Sequence, residues 1–103
     1  MNIGVLASTK ATDLQAVIDS IEAKELNVKI SVVISNKKDA YALERARKYN
    51  IEAVFIDSKG KGREEFDREV AKELDKNNVD LILLIGYMRI LSSWFVNKWK
   101  NKI

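Results

Sequence analysis

The sequence predicts an α/β fold: a parallel βαβ (Rossmann-like) sheet of about four strands with helices on both faces. Short apolar segments alternate four times with segments whose apolar residues recur every three or four positions. Strands and helices in this alternation form parallel sheets with right-handed crossovers. Because 103 residues without a linker are the size of one domain, we expect residues 1–103 to form a single domain.

Four apolar segments are the predicted strands, and they cover residues 2–7, 28–35, 53–56 and 79–85. The second is rich in Val and Ile, which suit the half-buried surface of a pleated sheet. The fourth is apolar on both faces, a pattern typical of a strand in the middle of a parallel sheet.

Four helices are predicted between and after these strands, each from one stripe of apolar residues. The first begins at Thr12, because Gln15 follows it at the spacing of a capping box. Asp39 is the predicted cap of the second helix, and Ser92 or Ser93 caps the fourth. The residues predicted to face the core are Leu14, Val17, Ile18, Ile21, Leu43, Ala46, Phe66, Val70, Ala71, Leu74, Phe95, Val96 and Trp99.

The composition argues against several classes of function. The chain has 18 basic and 15 acidic residues, a balance that gives no indication of a nucleic-acid partner. It contains neither His nor Cys, so we expect no metal site and no disulfide, and the missing Cys fits a cytoplasmic location. The longest apolar run, residues 81–85, is too short to cross a membrane, and we expect no signal peptide at residues 1–4.

The loops that follow the strands are the candidate binding elements, because ligands of such sheets bind at the carboxyl ends of the strands. These loops are residues 8–12, 35–39, 57–62 and 86–92. The first lacks the glycines of a dinucleotide-binding motif, so a nicotinamide cofactor is not expected. Its Thr9, Lys10 and Thr12 fit either a single bound phosphate or simple capping of the helix, and both interpretations stay open.

The loop after the fourth strand is the strongest candidate for a binding site. Met88, Ile90 and Leu91 flank Arg89 there, at a position that faces the ligand crevice. Apolar side chains and backbone groups of such a turn bind flat heterocycles, although the same residues also fit a turn that closes the core. Arg63, at the start of the third helix, fits either carboxylate recognition or a plain helix surface.

Several of these stretches, in the same order, match a known family. They include DLQAVID at 13–19, SNK at 35–37, LERAR at 43–47 and GYMRILS at 86–92. Over essentially its whole length the chain resembles the N-terminal half of the phosphoribosylglycinamide formyltransferases, folate-dependent enzymes of purine biosynthesis. The resemblance implies transfer of a formyl group from 10-formyltetrahydrofolate, as co-substrate, to glycinamide ribonucleotide.

The resemblance also implies where the two ligands bind. The positions that match the nucleotide-binding loop of the family are Ala11, Thr12 and Asp13. The positions that match its folate-binding residues are Arg63, Met88, Arg89, Ile90 and Leu91. The family loop normally carries glycines and ends in Ser-Asn, whereas this chain has Thr9, Ala11 and Asp13.

The residues that perform the chemistry in this family are not expected within this chain. The family uses an Asn-x-His motif, which we expect beyond Ile103, and the chain has no His at all. We therefore expect no catalysis by the chain alone, and either a complementing C-terminal half or self-association through an open apolar edge of the fourth strand. Two alternatives stay open, a binding module without catalysis and a purely structural half-domain.

Overall fold

A computed structural model describes residues 1–9 and 13–103, together with the backbone of Thr12. Strands and helices alternate along the chain in this order: β1 Asn2–Leu6, α1 Thr12–Glu22, β2 Lys29–Ser35, α2 Tyr41–Lys48, β3 Glu52–Phe55, α3 Arg63–Lys76, β4 Leu81–Leu84 and α4 Ser93–Lys98. The described strands form one sheet in the order β3-β2-β1-β4, and every neighbouring pair is parallel. The predicted α/β fold is confirmed.

Helices cover both faces of this sheet, as predicted. Successive residues of a strand point to opposite faces, so Val5 packs under α1 and α2 while Leu6 packs under α3 and α4. The α1–α2 layer buries Leu14, Ile18, Ala42, Leu43 and Ala46, and the α3–α4 layer buries Phe66, Val70, Ala71, Leu74, Phe95 and Trp99. The predicted stripes of the first three helices are thereby confirmed, with Val17 and Ile21 partly buried.

The strand order places a crevice beside β1. The chain moves from β1 to β2 and then β3 on one side, and it returns to add β4 on the other side of β1. The loops after β1 and β4 consequently lead to helices on opposite faces of the sheet. Folds of this kind bind ligands at such a position, which is called here the crevice beside β1.

β4 lies at one end of the sheet in the described part of the chain. This position agrees with the open apolar edge predicted for the fourth strand in this chain, although its apolar pattern is typical of a middle strand. An apolar pattern on both faces of a strand indicates that helices cover both faces. It does not determine the position of the strand in the sheet. The backbone N–H of Ile82 donates to the carbonyl of Lys102 at 2.6 Å, so the chain end lies along the outer edge of β4.

Two details of the predicted helices are wrong. Asp39 does not cap α2: Ala40 is the N-cap residue, and no side chain among the described residues caps this helix. Val96 is 44% exposed because α4 is a short helix held by Phe95 and Trp99, and the next position around the helix points away from the core. Ser92 does cap α4, since its hydroxyl accepts a hydrogen bond from the backbone N–H of Phe95 at 3.2 Å.

None of the helices in residues 1–9 and 12–103 is long and apolar enough to cross a membrane.

Candidate functional site

The loops after β1, β2 and β4 meet at the carboxyl ends of these strands. The backbone N–H of Ser8 donates to the carbonyl of Gly86 at 3.1 Å, which joins the loop after β1 to the turn after β4. The carbonyl of Thr9 accepts from the N–H of Ala42 at 3.3 Å, which joins the same loop to the start of α2. The crevice beside β1 thus has walls that are bonded to one another.

The side chain of Ser8 adds two further bonds at this junction. Its hydroxyl donates to the Asn36 Oδ1 at 2.6 Å and accepts from the Met88 backbone N–H at 2.9 Å. Ser8 is only 7% exposed. Ser8 and Asn36 lie in two of the predicted binding loops, but neither was predicted as a site residue. The available signal was a small polar side chain that directly follows the apolar residues of β1.

The turn after β4 requires glycine at its first position. Gly86 has φ of +59°, in the left-handed region that side chains disfavour. A Cβ added there would also overlap the hydroxyl oxygen of Thr9. The turn therefore lies in direct contact with the loop after β1, and its path depends on the absent side chain.

The predicted residues of this turn divide into an outer and an inner pair. Met88 and Ile90 are 72% and 71% exposed, and they lie on the surface next to the crevice. Arg89 is half-buried, with its guanidinium carbon 4.3 Å from the centre of the Phe66 ring. Leu91 packs against the α3–α4 core. The apolar surface that remains available to a ligand comes from the outer pair.

A buried polar cluster supports the turn from below. Asp67, on α3, is almost fully buried and accepts a hydrogen bond from the Ser92 backbone N–H at 2.6 Å. The Tyr87 hydroxyl is also buried, and it finds no partner among the residues that the structure describes. Burial raises the pKa of Tyr87, the charge of Asp67 acts in the same direction, and Arg89 acts against it.

Asp67 and Tyr87 were not among the predicted site residues. Asp67 follows Phe66 directly and lies on the apolar face of α3. This position in the sequence is what could have predicted its burial. A carboxylate at such a position needs donors from a neighbouring element, and the segment before α4 supplies one.

The predicted nucleotide-binding residues lie at the edge of what the structure describes. Ala11 and the side chain of Thr12 are outside the described residues, as is Lys10. Asp13 is exposed in the first turn of α1. The capping box predicted for Thr12 and Gln15 has its Thr12 side chain outside the described residues.

Arg63 is exposed at the first position of α3. It lies one helical turn before Phe66, the residue under the Arg89 guanidinium, so it starts the helix that supports the turn after β4. Acidic Glu64 and Glu65 follow it, which suits the N-terminus of a helix.

A cavity of about 460 Å³ opens on the β2 side of the same strand ends, lined by Ser8, Thr9, Lys37, Asp39, Ala40 and Tyr41. Within residues 1–9 and 12–103, no group of three or more His, Cys, Asp or Glu side chains could hold a metal ion. The arrangement offers apolar surface, backbone donors and acceptors, and cationic side chains for binding.

A family model described as formyl transferase matches residues 1–103. The chain belongs to the formyl transferase family. The phosphoribosylglycinamide formyltransferase of Escherichia coli (strain K12) is 40% identical over 104 residues, which cover 100% of this chain and 49% of that protein. The phosphoribosylglycinamide formyltransferase of Dictyostelium discoideum is 46% identical over 109 residues, which cover 97% of this chain and 53% of the relative.

The fold of the chain is also that of a solved formyl transferase. Glycinamide ribonucleotide transformylase 1 from Symbiobacterium toebii superimposes with a TM-score of 0.94 at 38% identity, over 100% of this chain and 49% of that one. The chain spans about half the length of these three family members.

Proposed function

We propose that this chain contributes the N-terminal half of a cytoplasmic phosphoribosylglycinamide formyltransferase. In this proposal the assembled site transfers a formyl group from 10-formyltetrahydrofolate to glycinamide ribonucleotide. The observation that carries the proposal is the turn after β4: two exposed apolar side chains stand beside the crevice on a backbone that is bonded to the loop after β1. The similarity of the chain to formyltransferases over its whole length supports the same reaction.

The folate would bind along the turn after β4. Met88 and Ile90 offer apolar surface to the faces of a pterin, and the backbone groups of the turn can hydrogen-bond its edge. Arg89 and Leu91 would act from below, by holding the turn against α3 and α4. Arg63 is exposed and suited to a carboxylate of the folate tail, which a guanidinium binds with two hydrogen bonds.

Glycinamide ribonucleotide would bind at the loop between β1 and α1, through Ala11, Thr12 and Asp13. The N-terminus of α1 favours an anion, because its backbone N–H groups and its helix dipole face the loop. The exposed carboxylate of Asp13 acts against a phosphate at the same place. We therefore expect weaker phosphate binding than in a family loop that carries glycines.

Proton transfer has to come from outside these residues. The amine of glycinamide ribonucleotide attacks the formyl carbon, and the tetrahedral intermediate collapses with cleavage of the bond from this carbon to N10 of the folate. The amine loses a proton and N10 gains one, so that tetrahydrofolate leaves. The chain has no His. In our proposal the Asn-x-His motif of a complementing C-terminal half supplies the general acid and base and stabilises the oxyanion.

The proposal is tested by mixing the purified chain with the separately produced C-terminal half of the Escherichia coli enzyme. We expect formation of formylglycinamide ribonucleotide from 10-formyltetrahydrofolate only when both polypeptides are present. Absence of turnover, in conditions where the two halves of the Escherichia coli enzyme do complement each other, would contradict the proposal.

A variant pair locates the folate. Replacing Met88 and Ile90 together by Ser removes the exposed apolar surface and is expected to weaken binding of the reduced folate by about tenfold. The matched control is Val96→Ser, which changes an exposed apolar residue on α4 and is expected to leave the affinity unchanged. Equal effects of the two variants would argue against folate binding at this turn.

A further inference from the structure

Ser8 lies at the point where the loops after β1, β2 and β4 meet. Its hydroxyl donates to Asn36 in the loop after β2 and accepts from the Met88 N–H in the turn after β4. Both distances, 2.6 Å and 2.9 Å, are those of good hydrogen bonds. One buried oxygen therefore ties three separate segments of the chain together.

Asn36 orients the hydroxyl group of Ser8. A hydroxyl has one proton and can rotate, so its lone pairs point in a fixed direction only when the proton is engaged. Asn36 Oδ1 takes that proton, which leaves a lone pair of Ser8 Oγ for the Met88 N–H. The Met88 side chain meanwhile points outward and is 72% exposed. The backbone of the turn is thus held by Ser8 while the Met88 side chain stays exposed to solvent.

Two more contacts run between the same segments. The Ser8 N–H donates to the Gly86 carbonyl, and the Thr9 hydroxyl fills the space next to the Gly86 Cα. A displacement of Ser8 or Thr9 would therefore disturb their contacts with Gly86 and Met88 in the turn after β4. Two binding elements joined in this way share one conformational equilibrium, and a ligand that orders one element favours the ordered form of the other.

We propose that Ser8 is a positioning residue that couples the two ligands of this site. Its hydroxyl fixes the turn of residues 86–91 in the form that receives the reduced folate, and it links that turn to the loop that receives the phosphate of the second substrate. The inference rests on the proposed function, because it assigns the folate to the turn and the phosphate to the loop. In this proposal Ser8 acts through the turn and the loop that it joins, and not through a contact with either ligand.

The first test follows the Met88 amide proton by NMR hydrogen exchange in the chain without ligands. Ser8→Ala removes the acceptor, and we expect the Met88 amide to exchange about tenfold faster. The matched control is Ser31→Ala: Ser31 is a half-buried serine of β2 whose hydroxyl donates to the Ile3 carbonyl at 3.4 Å, away from the site. It is expected to leave Met88 unchanged.

A second variant keeps the test informative if Ser8→Ala does not fold. Asn36→Ala leaves the Ser8 oxygen in place but frees its proton, so we expect a smaller acceleration at Met88, about threefold. Unchanged exchange of the Met88 amide in the folded variants would overturn the positioning role, whatever the ligands do.

The second test measures the affinity for 5-formyltetrahydrofolate, a stable reduced folate, with and without saturating glycinamide ribonucleotide. We expect the nucleotide to strengthen folate binding about fivefold in the unmodified chain and in Ser31→Ala, and to have no effect in Ser8→Ala. A purely structural role of Ser8 would lower stability while leaving the fivefold ratio intact.

The outcomes separate the two proposals. If the unmodified chain binds no reduced folate, the folate part of the proposed function is wrong. The proposed coupling between folate binding and nucleotide binding is then wrong as well. If the chain binds folate and the ratio is the same in Ser8→Ala as in the control, the proposed function stands and the role of Ser8 is overturned.

Discussion

Tyr87 carries a buried hydroxyl that has no hydrogen-bond partner in the described part of the chain. Burying a polar group without a partner costs free energy, because the group loses its bonds to water. The neighbouring Asp67 already accepts from Ser92, and the Arg89 guanidinium lies over Phe66 instead. Tyr87 is therefore a residue at which the folded chain gives up stability.

We expect Tyr87→Phe to raise the free energy of unfolding by about 1 kcal/mol, since it removes the unsatisfied hydroxyl and keeps the ring. Urea unfolding at neutral pH measures this. A loss of stability would show that the hydroxyl makes a bond that the structure does not contain.

The same variant has a pH signature. The pKa of Tyr87 is raised in the folded chain above its ordinary value of 10.0, so the folded state favours the neutral hydroxyl. This contribution to stability is complete below pH 10 and is lost as the pH rises through the folded pKa. Stability should accordingly fall more steeply between pH 10 and the folded pKa in the unmodified chain than in Tyr87→Phe.

The sequence predicted which residues lie in the turn after β4, but not which way each one points. Met88 and Ile90 face outward and Arg89 and Leu91 face inward. That choice depends on Phe66 and the α3–α4 core, which lie far away in the sequence. Ser8 was missed for the same reason, because its two partners come from other loops.

At the level of elements, the junction between α3 and α4 depends on one buried carboxylate. Asp67 on α3 accepts from the backbone N–H of Ser92, and Ser92 caps α4. The N-terminus of α4 is thus anchored to α3 through its N-cap residue, Ser92.

We expect Asp67→Ala to lower the free energy of unfolding by about 2 kcal/mol, because it leaves a buried N–H without an acceptor. Asp75→Ala is the matched control on the same helix. Asp75 forms an exposed ion pair with Lys98 at 3.2 Å, which should contribute about 0.5 kcal/mol or less. Thermal or urea unfolding compares the two, and equal losses would contradict the role given to Asp67.

The sequence predicted the type and order of all the described elements, because apolar periodicity is local. Their ends were less accurate. β4 was predicted for residues 79–85 and covers Leu81–Leu84, and β3 was predicted one residue too late. Such ends are set by bonds to other strands, such as the one from the Asp80 N–H to the Asn2 carbonyl at 2.7 Å.

For the whole molecule, the outer edge of β4 is the surface at which we expect self-association. β4 has one strand neighbour in the described part of the chain, and Leu84 is 45% exposed. Ile82 donates to Lys102, so part of this edge is already engaged. An apolar strand edge pairs readily with another polypeptide, so we expect the 103-residue chain to form homo-oligomers in the absence of a complementing half.

We expect Leu84→Lys to shift the chain towards the monomer, because a charge on an edge strand opposes pairing. Phe55→Lys is the matched control, at the exposed end of the opposite edge strand β3, and it should leave association unchanged. Sedimentation velocity over a wide concentration range measures both. A monomer at every concentration would contradict self-association, and a response to Phe55→Lys alone would place the contact at β3.

That residues 1–103 form a single domain stays a prediction.

The place of β4 beside β1 decides when the crevice can come into being during synthesis. Ser8 and Met88 are 80 positions apart, so the first wall of the crevice leaves the ribosome long before the last. Until Leu81 and its neighbours have emerged, β1 presents one bare apolar edge to the surroundings of the nascent polypeptide. Pairing over such a separation is slow compared with local helix formation. We therefore expect the region proposed to bind ligands to be the part of the sheet that is completed last and that is most prone to aggregation while the chain is being made.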